Sequence, residues 1–222
     1  MKLIAQLPKK LALTSVLLAA CLSCAIARDA AKANEALLHA TSPFEDMVGF
    51  ALAKNSASVA KSLAKADSQA GAVKQALLPA SVAEFERRLQ ELHKAATDSE
   101  HYAVAVSGVE IFRLLIDNLD AGKLKVPKEV SLLDYAGFKL HVLDAAPKPD
   151  WDAMRKTAAD AVSWWATTKS NVTDKKLRDA FNSTVRGMQQ AATAENLPML
   201  HFAAQMDLDL VDMLENHFES KK

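Results

Sequence analysis

The stretch from Val82 to Leu119, VAEFERRLQELHKAATDSEHYAVAVSGVEIFRLLIDNL, decides how this chain folds. Its first half carries an apolar stripe at helical spacing (Val82, Phe85, Leu89, Leu92, Ala96), and its second half carries another (Val104, Gly108, Phe112, Leu115, Leu119). At about 100° per residue the two stripes face different sides of any one straight helix. The phase changes at Thr97-Asp98-Ser99-Glu100, a hydroxyl followed three residues later by a glutamate, which has the form of a capping box. Two helices are therefore expected here, with a break at 97–100.

The same reading extends outward in both directions. Half of the 222 residues are hydrophobic, and only six glycines and seven prolines punctuate them, a composition that favours helix throughout. Caps and prolines divide the chain into eight helical segments, at about 29–40, 43–78, 80–96, 98–119, 129–145, 149–171, 174–193 and 197–218. The fold class is all-α: an antiparallel bundle of about seven helices forming one domain over 28–222. The pattern Phe85, Leu89, Leu92, Ala95-Ala96-Thr97 recurs 96 residues later as Phe181, Val185, Met188, Ala191-Ala192-Thr193, and Phe44-Glu45-Asp46-Met47 is echoed by Trp151-Asp152-Ala153-Met154. Two three-helix units, 43–119 and 149–218, related by duplication and joined by a connector over 120–148, account for these echoes. A ligand site would then fall between the units.

The N-terminus reads as an address. Lys2, Lys9 and Lys10 precede an apolar run from Leu11 to Leu22 and the small-x-small Ala25-Ile26-Ala27, the layout of a secretory signal over 1–27. The expected location is the periplasm. Leu18-Ala19-Ala20-Cys21 also fits a lipobox, in which case the signal is 1–20 and Cys21 carries the lipid that ties the domain to a membrane. Against it, the residues after Cys21 are apolar where a polar tether is expected. The Cys21-Leu22-Ser23-Cys24 spacing is a chance match to a redox pair inside a leader. Removing the leader lowers the basic count from 27 to 24 against 27 acids, a net charge of −3, and no basic patch with interleaved aromatics remains to hold nucleic acid.

Catalytic signatures are absent: there is no GxSxG, HExxH or glycine-rich phosphate loop, and Ser58-Val59-Ala60-Lys61 lacks the companion elements of an SxxK enzyme. The chemistry-bearing residues lie on the helices instead. Asp207 falls in the middle of the apolar face Leu200, Ala203, Ala204, Leu208, Val211, Leu214, Phe218, where a carboxylate must be paired, protonated or metal-bound. Asn55 interrupts the stripe of the first long helix in the same way, and the two polar groups could satisfy each other. A second face of the last helix carries Met199, Phe202, Met206, Met213 and His217, expected as core packing, with Met213 and His217 one turn apart. His101 lies on an apolar face. Asp134 and His141 form a vertical pair opposite the stripe Leu132, Ala136, Leu140, Leu143, and Asp209, Asp212 and Glu215 read as solvated surface.

These residues predict a non-catalytic binding protein that holds a transition-metal ion, copper or iron, between its helices. The metal ligands expected are Asp207 with His101 or His201, or the softer pair Met213 and His217. The rival reading is a helical interaction module for a protein partner, whose mark would be an exposed apolar patch around Trp164 or Phe138. Trp164 itself is expected to rest against the neighbouring unit.

Overall fold

A computed structural model describes residues 29–220. The expected signal, the expected lipobox and both cysteines lie outside the described residues. Within them the chain forms nine α-helices and no strand: α1 (Ala30–His39), α2 (Ser42–Leu52), α3 (Ser56–Ala76), α4 (Pro79–Thr97), α5 (His101–Asp117), α6 (Lys128–Asp144), α7 (Trp151–Thr168), α8 (Lys175–Thr193) and α9 (Leu197–Glu219). Short 3-10 turns occupy Ala121–Lys123 and Lys169–Asn171.

The helix starts follow local chemistry. Asp29, Asn55, Asp150, Asp174 and Asn196 each accept a first-turn backbone N–H on a side-chain oxygen, and Pro43, Pro79 and Pro198 stand in first turns, where a missing N–H costs nothing. Two boundaries differ from expectation. The single helix expected over 43–78 is two, because Lys54 adopts a left-handed conformation (φ 55°) and the Asn55 amide reaches back to the Phe50 carbonyl at 2.8 Å. Asn55 is therefore an exposed N-cap whose side chain accepts from Ser58 N–H, and it does not meet Asp207. The break at 97–100 is where expected, but no capping box makes it. Ser99 turns left-handed (φ 58°), the Glu100 amide returns to the Ala95 carbonyl at 2.9 Å, and the Thr97 hydroxyl donates backwards to His93.

The helices pack as two closed antiparallel rings. In the first, α2 packs on α3 and α5, α3 on α4, and α4 on α5, with α1 laid across α3 and α5; in the second, α6 packs on α7 and α9, α7 on α8, and α8 on α9. Phe44, Phe85, Leu92 and Phe112 fill the first core; Met154, Trp165, Phe181 and Leu214 fill the second. Contacts of α5 with α6 join the rings. The expected connector is thus a wall of the second ring, and α6 feeds both cores, Leu132 and Val142 into the first and Val130, Leu133 and Leu140 into the second.

Positions 96 apart have the same local structure. Both ends of α8 lie 96 residues after those of α4, and so does the start of α9 after that of α5. Glu195 is left-handed (φ 54°) like Ser99, and the Asn196 amide returns to Ala191 at 2.9 Å as Glu100 does to Ala95. No helix among the described residues is long and apolar enough to cross a membrane.

Candidate functional site

Where the rings meet, a cavity of about 380 Å³ opens between them. Four stretches distant in sequence build it. The start of α2 brings Thr41 and Glu45, α6 brings Ser131 and Asp134, and successive turns of α9 bring Asp212, Glu215 and Glu219 at the i, i+3, i+7 spacing of one helix face. Leu38, Phe112, Leu124 and Val126 give the cavity apolar walls, and Lys125 stands at its edge.

Five carboxyl groups therefore face one space, and among the described residues none of them has an ion-pair partner. Lys125, the one basic side chain in the lining, donates its Nζ to the backbone carbonyl of Glu219. The electrostatic consequence is consistent across the cluster. Burial, then the charges of Glu45, Glu215, Asp207 and Asp212, raise Asp134 well above the usual carboxylate range. Burial, reinforced by Glu45, Asp212 and Glu219, lifts Glu215 to about 7. Glu45 is also raised, chiefly by burial, with the neighbouring Thr41 hydroxyl working the other way. A group in such surroundings either keeps a proton or takes a cation.

Asp207 lies in the protein interior close enough to raise Asp134 electrostatically. It is fully buried, and neither of its carboxyl oxygens has a hydrogen-bond partner. It stands where α9 crosses α6 at Gly137. A Cβ added at Gly137 would come 2.5 Å from Leu208 Cδ2 and 3.0 Å from Asp207 Oδ2, so the close crossing depends on that glycine. Burial drives Asp207 towards its neutral form; the Gly137 backbone beside it favours the charged form but makes no hydrogen bond of ordinary geometry to it.

The other expected ligands are scattered. His201 is on the surface, its Nδ1 2.8 Å from Asp144 Oδ2 and its ring edge-on to His141 at 4.8 Å between centroids. His141 has a buried Nε2 without a partner, and burial, with His201 beside it, lowers its pKa. Asp134 and His141, expected as a vertical pair opposite the apolar stripe, are both partly covered and belong to different surroundings two turns apart on α6. His101 borders a shallow pocket between α3 and α5 in the first ring. His217 accepts from the Thr173 amide through Nε2 at 3.3 Å. Met213 is 54% exposed and Met199 46%, so the methionine face of α9 is not core. Among the described residues no group of three or more His, Cys, Asp or Glu is placed to hold a metal ion.

The apolar patch also falls elsewhere than expected. Phe138 packs edge-on against Phe112 at 6.0 Å. Trp164 rests on the first ring, edge-on to Tyr135 at 6.3 Å and under the Arg113 guanidinium at 5.1 Å. The acids of the cavity went unrecognised on sequence, yet a signal was present. Several surface acids in this chain come with a base one turn away, as in Glu84 with Arg87, Asp117 with Arg113, Asp160 with Lys156 and Asp179 with Lys175. Glu45, Asp134, Asp212 and Glu215 have no base at three or four residues on either side, and neither has Asp207. No protein family, curated protein or solved structure matches this chain.

Proposed function

We propose that this is an exported, non-catalytic binding protein whose ligand is a small organic cation, an amine or polyamine, taken up in the cavity between the two rings. The observation that carries the reading is the set of five carboxyl groups, without an ion-pair partner among the described residues, around about 380 Å³ of space with apolar walls. Such a lining offers carboxyl groups to protonated nitrogens and the apolar walls of Leu38, Phe112, Leu124 and Val126 to the hydrocarbon body between them. It also matches a bare metal ion less well, since the acids line a cavity rather than converge on a point. Export rests on the leader-like 1–27, and the non-catalytic reading rests on the missing GxSxG, HExxH and phosphate-loop motifs in the sequence.

Binding of a cation stabilises the charged form of each carboxyl group, so it releases the protons that Asp134, Glu215 and Glu45 hold when the cavity is empty. Affinity then weakens as pH falls. Calorimetric titration of the purified protein with spermidine and with 1,5-diaminopentane at pH 8 tests this. One equivalent bound, an enthalpy that changes with the buffer's own ionisation enthalpy, and loss of binding in Asp134→Asn or Glu215→Gln are expected. No heat with either amine, or binding that survives both substitutions, would overturn the reading. A copper or iron ion retained at one per chain and lost in Asp207→Asn or His201→Ala would put the metal expected from the sequence in its place.

A further inference from the structure

The structure points to a second binding surface, on the outer side of α8 and α9, away from the acidic cavity. A groove of about 340 Å³ runs between these helices. Its floor is made of small residues, Thr184 and Gly187, and one bank carries Met199, Phe202, Met206 and Leu210. Phe202 is 65% exposed, the most open large apolar side chain among the described residues. Met199, Phe202, Met206 and Met213 fall at steps of three, four and seven, the narrow seam by which one helix packs along another.

The first ring shows what covers this position. Ninety-six residues earlier, Thr184 and Gly187 correspond to Arg88 and Glu91, and Met206 and Met213 to Glu110 and Asp117. Long charged side chains fill the first groove, with Arg88 Nε 2.6 Å from Glu84, and a helix lies across the face. That helix is α6, whose Lys139 meets Glu110 at 2.6 Å and whose Lys128 donates to the Asp117 carbonyl at 2.9 Å. On α9 the corresponding face has no helix on it among the described residues, its charges are replaced by methionine and phenylalanine, and its groove floor is reduced to small residues.

We infer that this face is the docking site for one amphipathic helix of a partner protein, with an apolar stripe flanked by Lys or Arg. The charge argument selects the partner. Over 197–219 the chain has no Lys or Arg; of its five acids Asp207 is buried and Asp212, Glu215 and Glu219 line the cavity, which leaves Asp209 exposed beside the seam. A second copy of α9 would bring another helix without Lys or Arg against Asp209, whereas basic flanks on a partner helix would answer that acid as Lys139 of α6 answers Glu110 on α5.

The probe is a fluorescent 21-residue helical peptide with Leu at the seam positions and Lys beside them, compared with its Leu/Glu counterpart by anisotropy at 0.15 M salt. The Lys peptide should bind, and the Glu peptide about tenfold or more weakly. Phe202→Asp and Met206→Lys should each weaken the Lys peptide by roughly tenfold or more, the size of a central apolar contact, with the melting temperature of Phe202→Asp unchanged. Asp134→Asn, in the cavity, should leave peptide binding intact, which separates this site from the amine site. Equal binding of both peptides, or binding indifferent to Phe202→Asp, overturns the proposal. Self-association in sedimentation that Phe202→Asp abolishes would assign the face to a second copy and overturn it as well.

Discussion

The two rings share a scaffold and differ in what they expose. Ile111 and Asp207 occupy corresponding places, both fully buried on the helix that closes a ring, yet one is a hydrocarbon and the other a carboxyl group without a hydrogen bond. Gly108 and Gly137 both stand at close helix crossings, but a Cβ at Gly108 would meet Phe44 O at 3.4 Å, an ordinary contact, while one at Gly137 would meet Leu208 at 2.5 Å. The groove of α4 and α5 is closed by ion pairs and α6; that of α8 and α9 is open and apolar. The first ring, Gln69 Oε1 on α3 apart, therefore follows the ordinary rules of a satisfied core. The second breaks those rules in three places, and such departures concentrate at sites of function.

The comparison breaks most sharply if the first ring is given the second ring's defect. Ile111→Asp places an unpaired carboxyl group at a fully buried position of the first core and should cost more than about 4 kcal/mol, read as a lowered urea midpoint or a failure to fold.

A smaller effect follows from curing the defect. Glu215 titrates at about 7 in the folded state against 4.5 ordinarily, and Asp207 is raised well above 3.8. Below the ordinary values both groups are protonated in both states and stability is unaffected. As pH rises through the window between the unfolded and folded values, the native state holds protons the unfolded chain has lost, so stability falls; above the folded value the loss is complete. The wild-type protein should thus lose stability from about pH 4.5 to 7 on account of Glu215, and from about pH 3.8 upward on account of Asp207. Asp207→Asn with Glu215→Gln should match wild type near pH 4 and exceed it at pH 8 by roughly 2–3 kcal/mol. Parallel melting curves across that range check the sign as well as the size.

The two glycines sharpen the contrast further. Gly137→Ala should cost about 2 kcal/mol by forcing Leu208 and α9 away, whereas Gly108→Ala should fall within about 1 kcal/mol of wild type, because the helix propensity of alanine offsets a mild contact. Denaturant midpoints of the pair decide it. The least effect is expected at the open groove: Phe202→Ser should change stability by no more than about 0.5 kcal/mol, since the ring contributes little to the core. A large loss on thermal melting would mean that Phe202 is packed.

Parts of this were legible in advance. The phase change between Ala96 and Val104 and the caps at Asn196 and Asp174 are local signals, and the helices they predict form. Asp207 was found from one helix face alone, because periodicity reports which side of a helix turns inward. The split between α2 and α3 was not legible: Lys54 takes a left-handed backbone with neither glycine nor proline to announce it, and the apolar stripe runs on across the break. The methionine face of α9 misled for a related reason. Periodicity shows that a face is apolar but not whether anything covers it.

What the sequence by itself determined is the helical class, most helix limits, the echo at 96 residues and the presence of an inward carboxyl group, all consequences of side-chain spacing within one helix. Only the tertiary structure decided that Glu45, Asp134, Asp212 and Glu215 share one cavity and that Phe202 faces open space. Those facts depend on how separate helices are arranged around each other. Burial and mutual repulsion, which set the protonation of the acids, arise only once that arrangement brings distant segments together.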